Sequence, residues 1–375
     1  MNTPESRTAT RWCAPGCGAF SLLELLIVMA ILATLALMVT LMVGNTTVTI
    51  KQAEKRMDAD AQARLVFDRM ARDFQGMTRR ADISFLFDFR PGNDALYFFS
   101  EATGHFADND PHGTDTAARN TLSLVGYRVS DAISTNARFE MERLGRGLHW
   151  FDFAPTPTGD STAVCYLPAT IAVNFSAPLA DPYNNSSNLR SAAGSAVPQW
   201  DVIGDQVIRM ECCLLLKDGT FSAIPVTKPK GGSGAITYVA ADAPPTAADD
   251  AGRGYAAGWR WYDQTHRVGY ICKNASSGSA VWSPLGLQDV SAVIVAIAVI
   301  DGRSRLLAST EALSRFSAAL PDFDPGNLST DPSGNPRLMS VLWQEAVNQP
   351  SFARQMGLPA SAASGVRIYQ RYFYF

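Results

Sequence analysis

The stretch Gly18–Gly44, GAFSLLELLIVMAILATLALMVTLMVG, decides how the rest of the chain is read. From Phe20 to Val43 it is apolar over 24 residues, interrupted only by Ser21, Glu24, Thr34 and Thr40, and it contains no proline. A helix needs roughly 20 such residues to cross the hydrocarbon core of a bilayer. A cleaved secretory signal would carry an apolar region of roughly 7–15 residues ahead of a small-residue site. This run is longer, and Val43-Gly44-Asn45-Thr46 makes a poor site. A lipoprotein signal needs a cysteine after the run, whereas Cys13 and Cys17 precede it. A plain membrane anchor fits the length but leaves Glu24 unexplained. A carboxylate within a membrane helix costs on the order of 3 kcal/mol, and such residues usually have a partner. In the plainer reading Glu24 lies at the helix start and reaches the headgroups.

The junction Gly18-Ala19-Phe20-Ser21-Leu22-Leu23-Glu24-Leu25-Leu26 resembles the processing site of type IV pilins and type II secretion pseudopilins. The resemblance implies that a prepilin peptidase cuts before Phe20, methylates the new amino terminus there, and leaves Glu24 at the fifth mature position. That family places Gly directly before the Phe. Here Ala19 stands in that place and Gly18 is one step back. Cleavage after Ala19 keeps the Phe/Glu spacing, and cleavage after Gly18 would put Glu24 sixth. In a bundle of such helices, Glu24 of one subunit can pair with the Phe20 ammonium of a neighbour. Two costly intramembrane charges then satisfy each other only on assembly.

Beyond Gly44 no proline occurs until Pro91. Ile50, Ala53 and Met57 form a short apolar stripe, and Ala63, Val66, Phe67, Met70, Phe74 and Met77 form a second at helical spacing. Lys51, Lys55, Arg56, Asp60, Arg64, Asp68, Arg72 and Arg79 fill the other face. The pattern predicts one helix from Phe20 to about Met77, roughly 85 Å long at 1.5 Å per residue. Its outer half should lay Phe67, Met70 and Phe74 against a globular head. The alternative is a separate helix after a loop at Gly44–Thr47. The stretch Arg64–Arg80 is similar to the stalk of J-type pseudopilins and PilW-like minor pilins, and more so to the Verru_Chthon cassette protein C family of verrucomicrobial gene cassettes. Leu124–Val129, Phe139–Phe151 and Gly365–Phe375 add shorter resemblances to that family.

The whole chain has 375 residues, 47% apolar, 18% charged and 10% aromatic, with a net charge of −3. That composition excludes a disordered chain and gives no electrostatic reason for a nucleic-acid partner. From about residue 82 the pattern is β-rich. Strands are expected at Ala95–Ser100, Leu122–Val129, Arg138–Leu144, Gln206–Leu216, Val290–Ile300 and Arg367–Phe375, with a hairpin through Lys217–Thr220 to Phe221–Val226. Val290–Ile300 (VSAVIVAIAVI) is too short for a membrane helix and reads as a buried central strand. Helices are expected at Ser309–Leu320 and Arg337–Asn348. Ala154–Ser161, Ala177–Gln199 and Lys228–Gly254 read as long loops. The fold class is α+β: a long N-terminal α-helix packed on an antiparallel β-rich head. The divisions are a leader 1–19, a transmembrane half-helix 20–43, an amphipathic stalk 44–81 and a head 82–375.

The usual nucleotide, zinc, nucleophile-elbow and CxxC motifs are missing from the sequence, so no enzyme and no cofactor is expected. Asp108–Gly113 begins like a calcium loop but puts His112 at position 5 and Arg119 at position 12, so no metal site is assigned. Asp322, Asp324 and Asp331 have no recognised spacing and read as solvated turns. The four histidines are scattered, and His149, between Leu148 and Trp150, reads as a packed aromatic. Trp259, Trp261 and Tyr262 with Arg260 either stack on a glycan or partner or pack as core. Cys165, Cys212, Cys213 and Cys272 allow three pairings in an oxidising compartment. Cys212 and Cys213 should face opposite sides of their strand. Cys165 or Cys272 bridges one of them, or all are free buried thiols.

Two functions follow. One is a structural subunit: a minor pilin or pseudopilin at the bacterial inner membrane with its head in the periplasm. The resemblance gives it other pilin-like subunits, the prepilin peptidase, the inner-membrane assembly platform and membrane lipid as partners, in a type IV pilus or type II secretion-like pseudopilus. The other is a single-pass membrane-anchored periplasmic binding module that does not polymerise. Charge does not orient the helix, because Arg7 and Arg11 precede it and Lys51, Lys55 and Arg56 follow it.

Overall fold

The computed structural model describes residues 21–81, 83, 85–89, 91–104, 119–130, 139–149, 200–227, 238–325, 330, 336–349 and 351–375. The chain forms two compact units, Met1–Glu54 and Lys55–Phe375. Helix α1 (Leu22–Gln75) contributes to both and continues through Gly44 without a break.

In the first unit the helix is exposed along its whole described length. Its polar interruptions cost little, because each threonine hydroxyl returns to a carbonyl of the preceding turn. Thr34 donates to the Ile31 carbonyl, Thr40 to Ala36, Thr46 to Met42 and Thr47 to Val43, each at 2.8 Å. Such back-bonding lets hydroxyls sit in an apolar helix with no donor left open.

In the second unit the same helix becomes one-sided. Ala59, Ala63, Val66, Phe67, Met70, Asp73 and Phe74 are buried. Met57 of the earlier stripe is 71% exposed, and Ile50 is also exposed; the apolar periodicity therefore ends in burial only from Ala59 onward. Five strands follow in one antiparallel sheet in chain order: β1 (Leu86–Asp88), β2 (Ala95–Ser100), β3 (Arg119–Val129), β4 (Met141–His149) and β5 (Trp200–Gly204). Next come β6 (Val207–Leu216) and β7 (Phe221–Ser222), then a small sheet of β8 (Tyr238–Ala241), β9 (Arg260–Asp263), β10 (Val268–Asn274) and β11 (Val281–Pro284). The strand β12 (Val290–Ile300) returns beside β6, and β13 (Val366–Tyr374) pairs with it, giving the order β13-β12-β6-β7. Between them lie α2 (Gly302–Arg305), α3 (Thr310–Ala319) and α4 (Met339–Asn348).

Central strand β12 pairs on both sides, with Val295 opposite Cys212 of β6 and Arg371 of β13. Every residue in it except Ser291 is buried. The α1 stripe, β12, β6, Phe98, Tyr127, Phe316, Trp343 and Phe373 share one apolar core. The architecture is thus α+β, a long N-terminal helix followed by antiparallel sheets; among the described strands β8 and β9 pair in parallel.

Several sequence expectations shift. Lys228–Gly254 is not wholly loop, since β8 and a turn of 3-10 helix at Ala251–Arg253 lie within it. The expected strand at Arg138 starts at Met141, because Phe139 takes a left-handed φ of 52° that breaks extended backbone. The hairpin partner of β6 is only two residues long. Ala154–Ser161 and Ala177–Gln199 lie outside the described residues.

Candidate functional site

Two places join side chains in a defined geometry: the start of α1, and the joint where its outer half packs against the sheets. At the start, Ser21 and Glu24 form a reciprocal cap. The Ser21 N–H donates to Glu24 Oε2 at 3.0 Å, and the Glu24 N–H donates to Ser21 Oγ at 3.2 Å. This is the Ser-x-x-Glu capping box, which satisfies two of the orphan donors at a helix N-terminus. Glu24 therefore has a bonding role within its own chain. Gly18, Ala19 and Phe20 lie outside the described residues.

At the joint, the aromatic stripe meets the five-stranded sheet and the sheet β13-β12-β6-β7. Phe74 stacks on Phe98 of β2 at 4.7 Å and on Phe373 of β13 at 4.9 Å between ring centroids. Phe67 lies 6.1 Å from Phe373, and Met70 is fully buried. Within this stripe sits a carboxylate. Asp73 takes a bidentate pair from Arg143 of β4, Nε to Oδ2 at 2.6 Å and Nη2 to Oδ1 at 3.1 Å. The Tyr127 hydroxyl also donates to Asp73 Oδ2. Ser100 Oγ donates to the Asp73 carbonyl at 2.7 Å. Both Asp73 and Arg143 are 1% exposed, so helix and sheet are joined by a desolvated, hydrogen-bonded ion pair. Burial, reinforced by the Asp73 carboxylate, pushes the Tyr127 phenol well above its ordinary value, which keeps it a donor. Nearer the surface, Arg371 Nη1 of β13 donates to Asp68 at 2.8 Å and the Tyr369 hydroxyl to Asp60 at 2.5 Å.

Sequence reading missed the Asp73–Arg143 joint, although a signal existed. Asp73 stands three residues after Met70 and four before Met77, inside the apolar row, where a lone carboxylate needs a cation. A second buried cluster was likewise not foreseen. Arg209 of β6, fully buried, donates from Nη2 to Glu211 at 3.0 Å and to Asp322, and its guanidinium lies over the Trp343 ring. Asp322 is thus an ion-pair partner rather than a solvated turn; it also accepts from the Gly92 N–H at 3.2 Å. Asp331 and the Asp108–Gly113 loop lie outside the described residues. Burial, with Asp94 nearby, pushes Glu211 up to about 9 against the pull of Arg209.

Cys212, Cys213 and Cys272 are free and buried, so the alternative in which Cys272 bridges Cys212 or Cys213 is not realised. Burial pushes the Cys213 thiol upward, and Cys272 likewise. Cys165 lies outside the described residues. The expected aromatic trio is divided. Tyr262 packs with Val226 and Leu285, while Trp261 joins Tyr255 and Trp282 at 5.8 and 5.7 Å. Trp259 reaches Tyr255 at 5.3 Å. The indole N–H of Trp261 is spent on the Ala243 carbonyl and that of Trp282 on Asp249. Arg260 is held by Asp289 at 2.8 and 3.0 Å. Those bonds fit a packed core better than a ligand platform. Among the described residues no group of three or more His, Cys, Asp or Glu is arranged to hold a metal ion.

Comparison with known proteins bears on the first place. A family model for the prokaryotic N-terminal methylation motif matches residues 15–40. Among solved structures, a type IV-like pilin from Thermus thermophilus is similar at 10% identity and a TM-score of 0.28, covering 84% of this chain and 93% of that one. No curated protein matches the chain. The apolar helix and the motif together are consistent with a single-pass membrane anchor.

Proposed function

We propose that this chain is a pilin-type structural subunit. It is cut after Ala19, N-methylated on Phe20 by a prepilin peptidase, and held in the inner membrane by residues 20–43 with its head, residues 82–375, in the periplasm. From there it is assembled with other pilin-like subunits, as a minor component or at the tip, into a type IV pilus or a type II secretion-like pseudopilus. The observation that carries this reading is the Phe20/Glu24 spacing at a polar-to-apolar junction, within residues matched by the methylation motif. The head supports it by what it contains: an ion-paired joint to the stalk, and a core built for packing. The stalk, residues 44–81, supplies the joint through Phe67, Met70 and Phe74.

Glu24 is the residue on which assembly turns. Its carboxylate is penalised among apolar helices, and a neighbour's Phe20 ammonium relieves that penalty. Glu24→Leu should therefore insert and be processed as before, yet fail to crosslink to partner subunits or to enter sheared filaments. One observation favours the second reading, an anchored module that never polymerises: the capping box gives Glu24 a use within its own helix. That reading predicts that Glu24→Leu costs about 1 kcal/mol of helix capping and changes no complex. Wild-type co-assembly of Glu24→Leu would remove the charge pair from the account.

A further inference from the structure

The glycosylation acceptor signal Asn-x-Ser/Thr begins at Asn45, Asn174, Asn184, Asn185, Asn274 and Asn327. Of these, Asn45 and Asn274 are among the described residues. In α1, Asn45 and Thr47 stand two positions apart on a helix and so point to different sides. The Thr47 hydroxyl donates to the Val43 carbonyl instead. The tripeptide Asn274-Ala275-Ser276 is built differently. It leaves the sheet at the end of β10, where the register with β11 slips between Cys272 and Asn274. Asn274 Oδ1 accepts from the Ser276 N–H at 2.9 Å and from the Ser276 hydroxyl at 2.7 Å. This Asx turn brings the amide and the hydroxyl together on one bend. Asn274 and Ser276 are both exposed, as are Ser277, Gly278 and Ser279 after them. Asn274 Nδ2 donates no hydrogen bond to the described residues. Opposite it on β11, Val281 is 49% exposed, an apolar surface beside which the first sugar ring would lie.

We propose that Asn274 is an N-glycosylation acceptor, read together with Ser276 by an oligosaccharyltransferase that supplies an oligosaccharide from a polyprenyl-diphosphate carrier. The inference rests on the reading that puts the head outside the cytoplasm, where such surface acceptors are used. In the transfer, Nδ2 attacks the anomeric carbon of the first sugar. The N–C bond forms, the bond from that carbon to the diphosphate oxygen breaks, and the diphosphate leaves with the electron pair. One Nδ2 proton passes to a base of the transferase. An amide nitrogen is a poor nucleophile, because its lone pair is delocalised into the carbonyl. The enzyme must therefore hold the acceptor closely, and an exposed, bent tripeptide can be held without unfolding the head. The glycan would stand beside β11, an edge strand of the small sheet, and its bulk would hinder pairing of that edge with another chain.

The test takes the full chain from the membrane fraction of the native host and maps it by peptide mass spectrometry with electron-transfer fragmentation. A glycan-bearing peptide, with the added mass located at Asn274, is expected. Ser276→Ala should cut that occupancy at least tenfold, and Ser276→Thr, which keeps the hydroxyl, should retain it. A bare Asn274 in protein that carries N-methyl-Phe20 overturns the inference and leaves the pilin-type reading standing. So does a glycan at Asn274 that Ser276→Ala leaves unchanged. A glycan at Asn274 on protein that keeps Met1 overturns the pilin-type reading alone, and a bare Asn274 on such protein overturns both.

Discussion

Replacing Phe74 with alanine is the sharpest perturbation of the joint between helix and head. The side chain is 4% exposed and sits between Phe98 and Phe373, with ring centroids at 4.7 and 4.9 Å. Removing a buried phenyl loses its transfer energy and leaves a cavity, about 3–5 kcal/mol together. The two stacked contacts place this site toward the upper end of that range. In a soluble fragment from Lys51 to Phe375, roughly 325 residues at about 2.1 cal/mol/K each give an unfolding entropy near 0.7 kcal/mol/K. The melting temperature should then fall by about 4–7 °C, read by calorimetry or near-ultraviolet circular dichroism. Leu65→Ala, at a position 55% exposed on the same helix, is the control and should move it by under ~1 °C. A Phe74→Ala fragment that melts with its parent would refute the packing of the stripe on the head.

Asp73→Asn and Arg143→Met should each cost about 3–5 kcal/mol by stranding a buried charge, while the double variant costs well under their sum; additive losses in a double-mutant cycle would mean the pair is not coupled. The raised Glu211 carboxyl binds its proton more tightly folded than unfolded, so its stabilisation is full below about pH 4.5 and is lost as pH rises toward about 9. Between about pH 5.5 and 8.5 the melting temperature should decline, and Glu211→Gln should flatten the slope; a rising profile in the parent would show that Arg209 holds the carboxylate ionised instead. Cys212, Cys213 and Cys272 should resist alkylation in the native protein and be modified in denaturant without any reductant, as mapped by peptide mass spectrometry. Recovery of any of these as a disulfide would contradict the free thiols.

The large features were legible because each has a periodicity that only one structure satisfies. Val290–Ile300 is apolar at every position, which suits a strand covered on both faces, and the structure gives it these same bounds. Phe67, Met70 and Phe74 recur at helical spacing and are buried on one side of α1. The small sheet was not legible. Its strands β8, β9 and β11 have four residues each, too short for a pattern to develop, and their burial comes from rings such as Trp261 and Trp282 that meet only in three dimensions. Long-range polar joints were harder still. Asp73 and Arg143 are 70 residues apart, and nothing local to either names the other. At the start of α1, the Ser21/Glu24 spacing is itself a capping-box signal, and the structure shows the two reciprocal bonds it implies.

The central claim is that the apolar helix begins at a processed, methylated Phe20, and the mature amino terminus tests it most directly. Membrane-localised protein from the native host, digested and sequenced by mass spectrometry, should yield an N-terminal peptide beginning with N-methyl-Phe20 and no peptide from residues 1–19. A terminus at Ala19 would move the cleavage register by one residue. An intact Met1 terminus on membrane-localised protein would contradict the pilin-type account and leave a passive anchor in its place.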